Sequence, residues 1–155
     1  MQQPFEILEH PADVGFRAYG RTREELFINA ALAMMTLACA PEGLEERESR
    51  EIEATGADHE SLLYAWLADI LAIQDAEQMF FRRAEVAELR DVSPASGRPG
   101  FGAEPRPGLV RGRVWGEKYD STRHHAGTYI KAVTMHQLRV EQTPRGWQAQ
   151  VYLDV

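Results

Sequence analysis

The chain has 155 residues, 44% of them hydrophobic and 26% charged, with 24 acidic against 17 basic side chains and a formal charge of −7. That is one ordinary domain spanning residues 1–155, long enough to bury roughly 70% of the surface that its unfolded chain would expose. The acidic balance argues against a broad basic face for gripping nucleic acid, and a single cysteine excludes an internal disulfide.

Phe5 to Glu9 and Phe16 to Tyr19 are short, apolar-rich runs bounded by His-Pro and Gly. Each reads as a strand, with residues 10–15 as the loop between them. Thr22 followed three positions later by Glu25 is a capping box. Leu26, Phe27, Ala30, Ala31, Met34, Met35 and Ala38 then recur at helical spacing, which predicts a helix over 23–39, ended before Pro41. Cys39 closes that apolar run, where a buried thiol is the ordinary reading and a reducing compartment the expectation.

Between Glu42 and Glu60 stand eight carboxylates and only Arg47 and Arg50 as basic partners. A solvated face is expected there, with a strand over 49–55. Asp58 or His59 starts a second helix, whose stripe Leu62, Leu63, Trp66, Leu67, Ile70 and Leu71 belongs to the core. Residues 79–89 alternate as a half-exposed strand. Residues 93–108 hold four of the eight prolines and four of the twelve glycines, as a surface loop or hairpin tip would. Strands resume over 109–116, 130–142 and 147–154, the last two joined by the turn residues Thr143-Pro144-Arg145-Gly146. The economical packing is an α+β two-layer sandwich, a mixed sheet of about six to seven strands with both helices on one face. No run is long enough to cross a bilayer and no basic leader opens the chain, so a soluble, cytoplasmic protein is expected.

Three places put polar groups in unusual company: His10-Pro11-Ala12-Asp13, residues 116–131, and the closing Tyr152-Leu153-Asp154-Val155. Asp154 sets a side-chain carboxylate beside the α-carboxylate of Val155, and two such anions repel unless a cation sits between them. If Asp13 meets that end of the sheet, three carboxylates converge into an oxygen-only site suited to Ca²⁺, Mg²⁺ or Mn²⁺. Otherwise Asp13 caps a turn and Asp154 is a solvated terminus, and spacing alone does not join them. His124 and His125, adjacent in sequence, point to opposite faces of any strand and read as surface residues. His10 and His136 read as hydrogen-bonded loop or sheet histidines. Lys131 is a counter-charge to the acidic cluster, a phosphate contact or an exposed edge lysine. No Gly-x-Ser-x-Gly, Walker A, His-Glu-x-x-His or Cys-x-x-Cys motif occurs.

At these same residues the chain resembles the archease family. The matching segments are Glu9-His10-Pro11-Ala12-Asp13-Val14-Gly15-Phe16, the entry to the first helix from Ala18 to Phe27, Gly116-Glu117-Lys118-Tyr119-Asp120, His124 to His136 with Ile130-Lys131-Ala132-Val133-Thr134, and Trp147 to Val155. The resemblance implies a metal-binding accessory protein rather than an enzyme. Its partner would be an RtcB-type RNA ligase, activated for tRNA splicing by guanylylation of the ligase histidine and repeated turnover. It implies metal ligands at Asp13, Asp154 and Val155, with Ca²⁺ ahead of Mg²⁺ and Mn²⁺, and partner contacts at His10 and Lys131. The family reads His-Thr-Ala-Asp where Pro11 stands here, which removes a hydroxyl and an N–H. The rival readings are a chaperone-like binding module for a tRNA-modifying enzyme such as a methyltransferase, and a metal-dependent phosphohydrolase.

Overall fold

The computed structural model describes residues 3–9, 13–91 and 106–155. Strand β1 (Phe5–Glu9) pairs antiparallel with β2 (Asp13–Gly20), and the chain enters helix α1 (Arg23–Ala38). Thr22 caps α1 as its spacing predicts: its hydroxyl accepts the Glu25 N–H at 3.1 Å, and the Glu25 carboxylate reaches back to the Arg21 N–H at 3.4 Å. A single 3-10 turn at Pro41–Gly43 leads to β3 (Glu48–Gly56) and helix α2 (His59–Glu77), capped by Asp58. Strands β4 (Met79–Arg90), β5 (Gly108–Lys118), β6 (Ala132–Val133), β7 (Arg139–Thr143) and β8 (Gly146–Asp154) follow.

The two strand-to-helix junctions share one construction. Gly20, Thr22 and Leu26 stand at the same offsets as Gly56, Asp58 and Leu62. In each, a Cβ on the glycine would collide with the backbone nitrogen of the leucine. Only a residue without a side chain lets the strand end run this close to the helix's first turn.

The α+β class and both helices are as expected, but the strands divide. β1, β2, β8 and β6 lie in that order in one sheet, with β7 also on β8; β3, β5 and β4 form another. Every pairing is antiparallel, so the expected mixed sheet is two antiparallel ones. Helix α1 packs on β2 of the first sheet and β4 of the second, and α2 on β3, β5 and β6. This is why apolar burial runs well around α1, from Leu26 and Ala30 to Ala33 and Met35. Trp66 joins the layers: fully buried, it donates its indole N–H to the Phe27 carbonyl at 3.0 Å.

The strand expected over 130–142 is broken, because Gln137 takes a left-handed φ of 52° that no strand continues through. The acidic run is largely exposed, as expected, and several of its carboxylates also pair with arginines: Glu46 with Arg83 of β4 at 2.6 Å, Glu48 with Arg50 along β3 itself at 3.2 Å, and Glu51 with Arg113 across to β5 at 2.8 Å. The Pro/Gly-rich loop lies mostly outside the described residues. Cys39 is buried as expected, and burial pushes its thiol up, away from reactivity. Among the described residues no helix is long and apolar enough to cross a membrane.

Candidate carboxylate site

Strand alternation decides which face each residue of β2 and β8 serves. Val14, Phe16 and Ala18 of β2 lie opposite Leu153, Val151 and Ala149 of β8, and these positions face the core. The intervening positions face outward, and at the end of the ladder they bring Asp13 directly opposite Asp154. Side chains directly opposite in an antiparallel pair share a face, with Cβ atoms roughly 5 Å apart.

The sheet thus joins the two aspartates that sequence spacing could not. Asp13 belongs to β2 rather than to a loop, because pairing with β8 extends the strand beyond its apolar residues. Asp154 is not a frayed end. Ala132 of β6 is its register partner on the other side, and its carbonyl accepts the Lys131 N–H at 2.8 Å. Val155 is half-buried and packs its side chain on the core, which anchors the residue that carries the α-carboxylate. Tyr152 stands next along the outer face, its ring laid over Gly15, where a Cβ would come within 2.6 Å of Cδ1.

Asp13 is half-buried and Asp154 exposed. Among the described residues neither carboxylate has an ion-pair partner. Like charges held opposite one another are destabilising, and a hard cation between them relieves that repulsion. No group of three His, Cys, Asp or Glu side chains that could hold a metal occurs among the described residues. Carboxylate oxygens of this kind are the donors that hard divalent ions take, so the chemistry of the paired aspartates would suit such an ion. The side chain of Lys131 is exposed, one residue from Ala132. His10 lies outside the described residues.

Sequence reasoning missed a second polar cluster. Glu117, 2% exposed, accepts from Arg123 Nη2 at 2.5 Å and from the Glu45 backbone N–H at 2.6 Å. His124 is not a surface residue: it is 3% exposed, its Nδ1 accepts the Asp120 N–H at 2.8 Å, and its Nε2 stands 3.1 Å from Glu117 Oε2 without the alignment of a hydrogen bond. His125 is exposed, so the two histidines do diverge as expected of adjacent residues. Burial alone would raise the Glu117 carboxyl, but the bonds from Arg123 and the Glu45 N–H, with the His124 ring close by, outweigh it and hold the pKa at about 2. Glu117 thereby ties Arg123 and the Glu45 backbone together, which makes the cluster a brace for the 117–124 turn. The signals in sequence were the polar company of residues 116–131, to which no ion cluster was assigned, and Asp120-Ser121-Thr122, an Asx turn in which Asp120 Oδ1 accepts the Thr122 N–H at 2.9 Å.

Comparison with known proteins gives a consistent result. The family model described as the archease protein family matches residues 5–155. Protein archease of Methanosarcina mazei is 38% identical over 151 residues, covering 97% of this chain and 95% of that protein. Protein archease of Pyrococcus abyssi is 34% identical, covering 97% and 98%. Among solved structures, a Methanobacterium thermoautotrophicum protein determined in solution superimposes with a TM-score of 0.76 at 32% identity, covering 98% of this chain and 99% of that one. An archease of Thermotoga maritima, described as a possible chaperone, shares the fold with a TM-score of 0.56 at 20% identity, covering 100% and 98%.

Proposed function

The chain belongs to the archease family, and from that premise we propose that it is a metal-binding accessory protein that activates an RtcB-type RNA ligase by promoting its guanylylation and multiple turnover. The observation that supports this reading is the placing of Asp13 directly opposite Asp154, on the outer face and without a cationic partner among the described residues. Asp13, Asp154 and the Val155 carboxylate would hold the ion, Ca²⁺ in the first instance, with Mg²⁺ and Mn²⁺ as alternatives. Such an ion, when bound, offsets the negative charge that develops on phosphate oxygens during nucleotidyl transfer.

The chain's own residues do the positioning. Pairing of β2 with β8 fixes the two carboxylates side by side, and the Lys131 N–H ties the Asp154 backbone to the segment before β6. The Lys131 side chain, exposed beside this edge, is the group we assign to the ligase or its nucleotide, with His10 as a second partner contact. With a charge of −7 the protein is suited to docking on a basic RNA-handling cleft in the cytoplasm, and gripping RNA itself is not part of this reading.

A multiple-turnover guanylylation assay with a purified RtcB-type ligase, GTP and Ca²⁺ tests the reading. The wild-type chain stimulates turnover, and Asp13→Ala or Asp154→Ala abolishes stimulation while the circular dichroism spectrum is kept. Normal stimulation by both variants ends the metal-site reading.

A second reading, a chaperone-like binding module for a tRNA-modifying enzyme such as a methyltransferase, is favoured by the exposed apolar side chains Tyr129, at 71%, and Met135, at 53%. It requires suppression of partner aggregation that survives loss of both aspartates.

A further inference from the structure

Beyond the carboxylates, a groove of about 440 Å³ opens between the end of α2 and the segment that precedes β6. Its aromatic walls are Phe80, Tyr119 and Tyr129, and Gln74 and Asp75 line its α2 side. Tyr119 meets Phe80 edge to face, with ring centroids 5.4 Å apart, and its backbone N–H is held by the Gln78 carbonyl at 2.9 Å. The opposite wall is pinned to the end of α1: Gly127 and Thr128 donate to the carbonyls of Ala38 and Leu37 at 2.9 and 2.8 Å. Both walls are thus set before anything binds, which lowers the ordering cost of a ligand.

Three observations define what the groove would take. Tyr129 is 71% exposed and Tyr119 44%, although aromatic rings of this size are ordinarily covered. Gln74 is only 6% exposed, and its Oε1 is buried with no hydrogen-bond partner, which leaves an acceptor in want of a donor. Asp75 is exposed and has no ion-pair partner among the described residues, and no lysine, arginine or histidine lines the groove. Aromatic faces, an orphaned amide oxygen and an unpaired carboxylate together ask for a planar cation rich in N–H donors. An anionic ligand would meet no positive group here.

We propose that this groove receives an arginine side chain of the docking partner. Its guanidinium plane stacks on a tyrosine face, its N–H groups serve Gln74 Oε1 and Asp75, and its apolar stem lies along Phe80. The groove is continuous with the carboxylate site through the chain itself. Tyr129 lines it, and two residues later the Lys131 N–H binds the Asp154 carbonyl. The inference rests on the reading that this protein docks on another, and it names the chemistry by which that partner is gripped.

The test uses the full chain and no ligase, so its outcome is independent of the guanylylation assay. The blocked peptide acetyl-Gly-Arg-Gly-amide is titrated against the ¹⁵N-labelled protein by NMR, beside the same peptide with lysine or with citrulline, and beside adenosine. Shifts confined to the resonances of residues 74–80, 119 and 127–130, with arginine binding about fivefold or more tighter than lysine and citrulline, support the proposal. Asp75→Asn should remove the preference over citrulline. Tyr129→Ala, at a position too exposed to carry the fold, should weaken the arginine peptide about three- to tenfold. Equal binding of arginine and citrulline, stronger binding of adenosine, or no groove shifts up to about 20 mM arginine peptide overturns it.

Discussion

Asp13 and Asp154, near opposite ends of the chain, are register partners across the β2–β8 pairing and present their carboxylates on one face of the sheet. The pairing is fixed by core-facing neighbours, Val14 against Leu153 and Phe16 against Val151, so the approach of the two charges is imposed by apolar packing.

An imposed repulsion has a signature that a binding defect alone does not. Asp13→Asn should stabilise the metal-free protein by on the order of 0.5 kcal/mol, raising its unfolding midpoint, while weakening Ca²⁺ at least tenfold. Differential scanning calorimetry with and without Ca²⁺, beside isothermal titration, reads both. Loss of affinity together with loss of metal-free stability would mean that Asp13 is structural.

In the proposed site Val155 would act through an α-carboxylate, which no substitution of its side chain removes. A Gly-Ser extension after Val155 moves that charge away and leaves the apolar contact in place. Ca²⁺ affinity should fall about tenfold with little change in melting temperature. Unchanged affinity by calorimetry would take Val155 out of the ligand set.

The Glu117 cluster sets an acid limb. Its folded pKa of about 2 lies below the ordinary value of 4.5, so its contribution is complete above pH 4.5 and is lost as pH falls through the folded value. Between pH 5 and about pH 2 the wild type should lose stability faster than Glu117→Gln. At pH 7 the variant should be weaker by roughly 2 kcal/mol, having given up charge-assisted bonds to Arg123 and Glu45. Urea unfolding at pH 7, 4 and 2.5 checks this, and parallel pH dependence of the two proteins would contradict it.

Gly56→Ala places a methyl against the Leu62 backbone nitrogen at the start of α2. The neighbour is main chain and cannot rotate away, so the cost should be roughly 2 to 3 kcal/mol. Gly20→Ala at the equivalent junction before α1 should cost a similar amount. Denaturant midpoints measure both; a change below about 0.5 kcal/mol would show that the junctions relax freely.

The helices were legible because each writes its own signals locally: a cap at Thr22 or Asp58, then an apolar stripe. The division into two sheets was not, since alternation in β5 or β8 says which residues face inward but not which strand lies alongside. For the same reason Asp13 read as a loop residue, as its strand pairing among the described residues is with β8. The proposed metal ligands and Lys131 were reached through family resemblance, and the sheet supplies a physical reason for bringing the aspartates together. Glu117, Arg123 and His124 stayed hidden because a buried ion cluster has no periodicity, and Gln74 because an orphaned amide exists only once the groove around it has formed.

β8 lies between β2 on one side and β6 and β7 on the other, yet it follows all three in the chain. During synthesis the β1–β2 hairpin must therefore wait with an open edge, and Asp13 without its counterpart, while the residues up to β8 are made. Closing so long a loop is slow relative to local pairing, and an unpaired edge is open to association with other nascent chains. The carboxylate pair can form only when the sheet closes, so the step that completes the fold is also the step that creates the site.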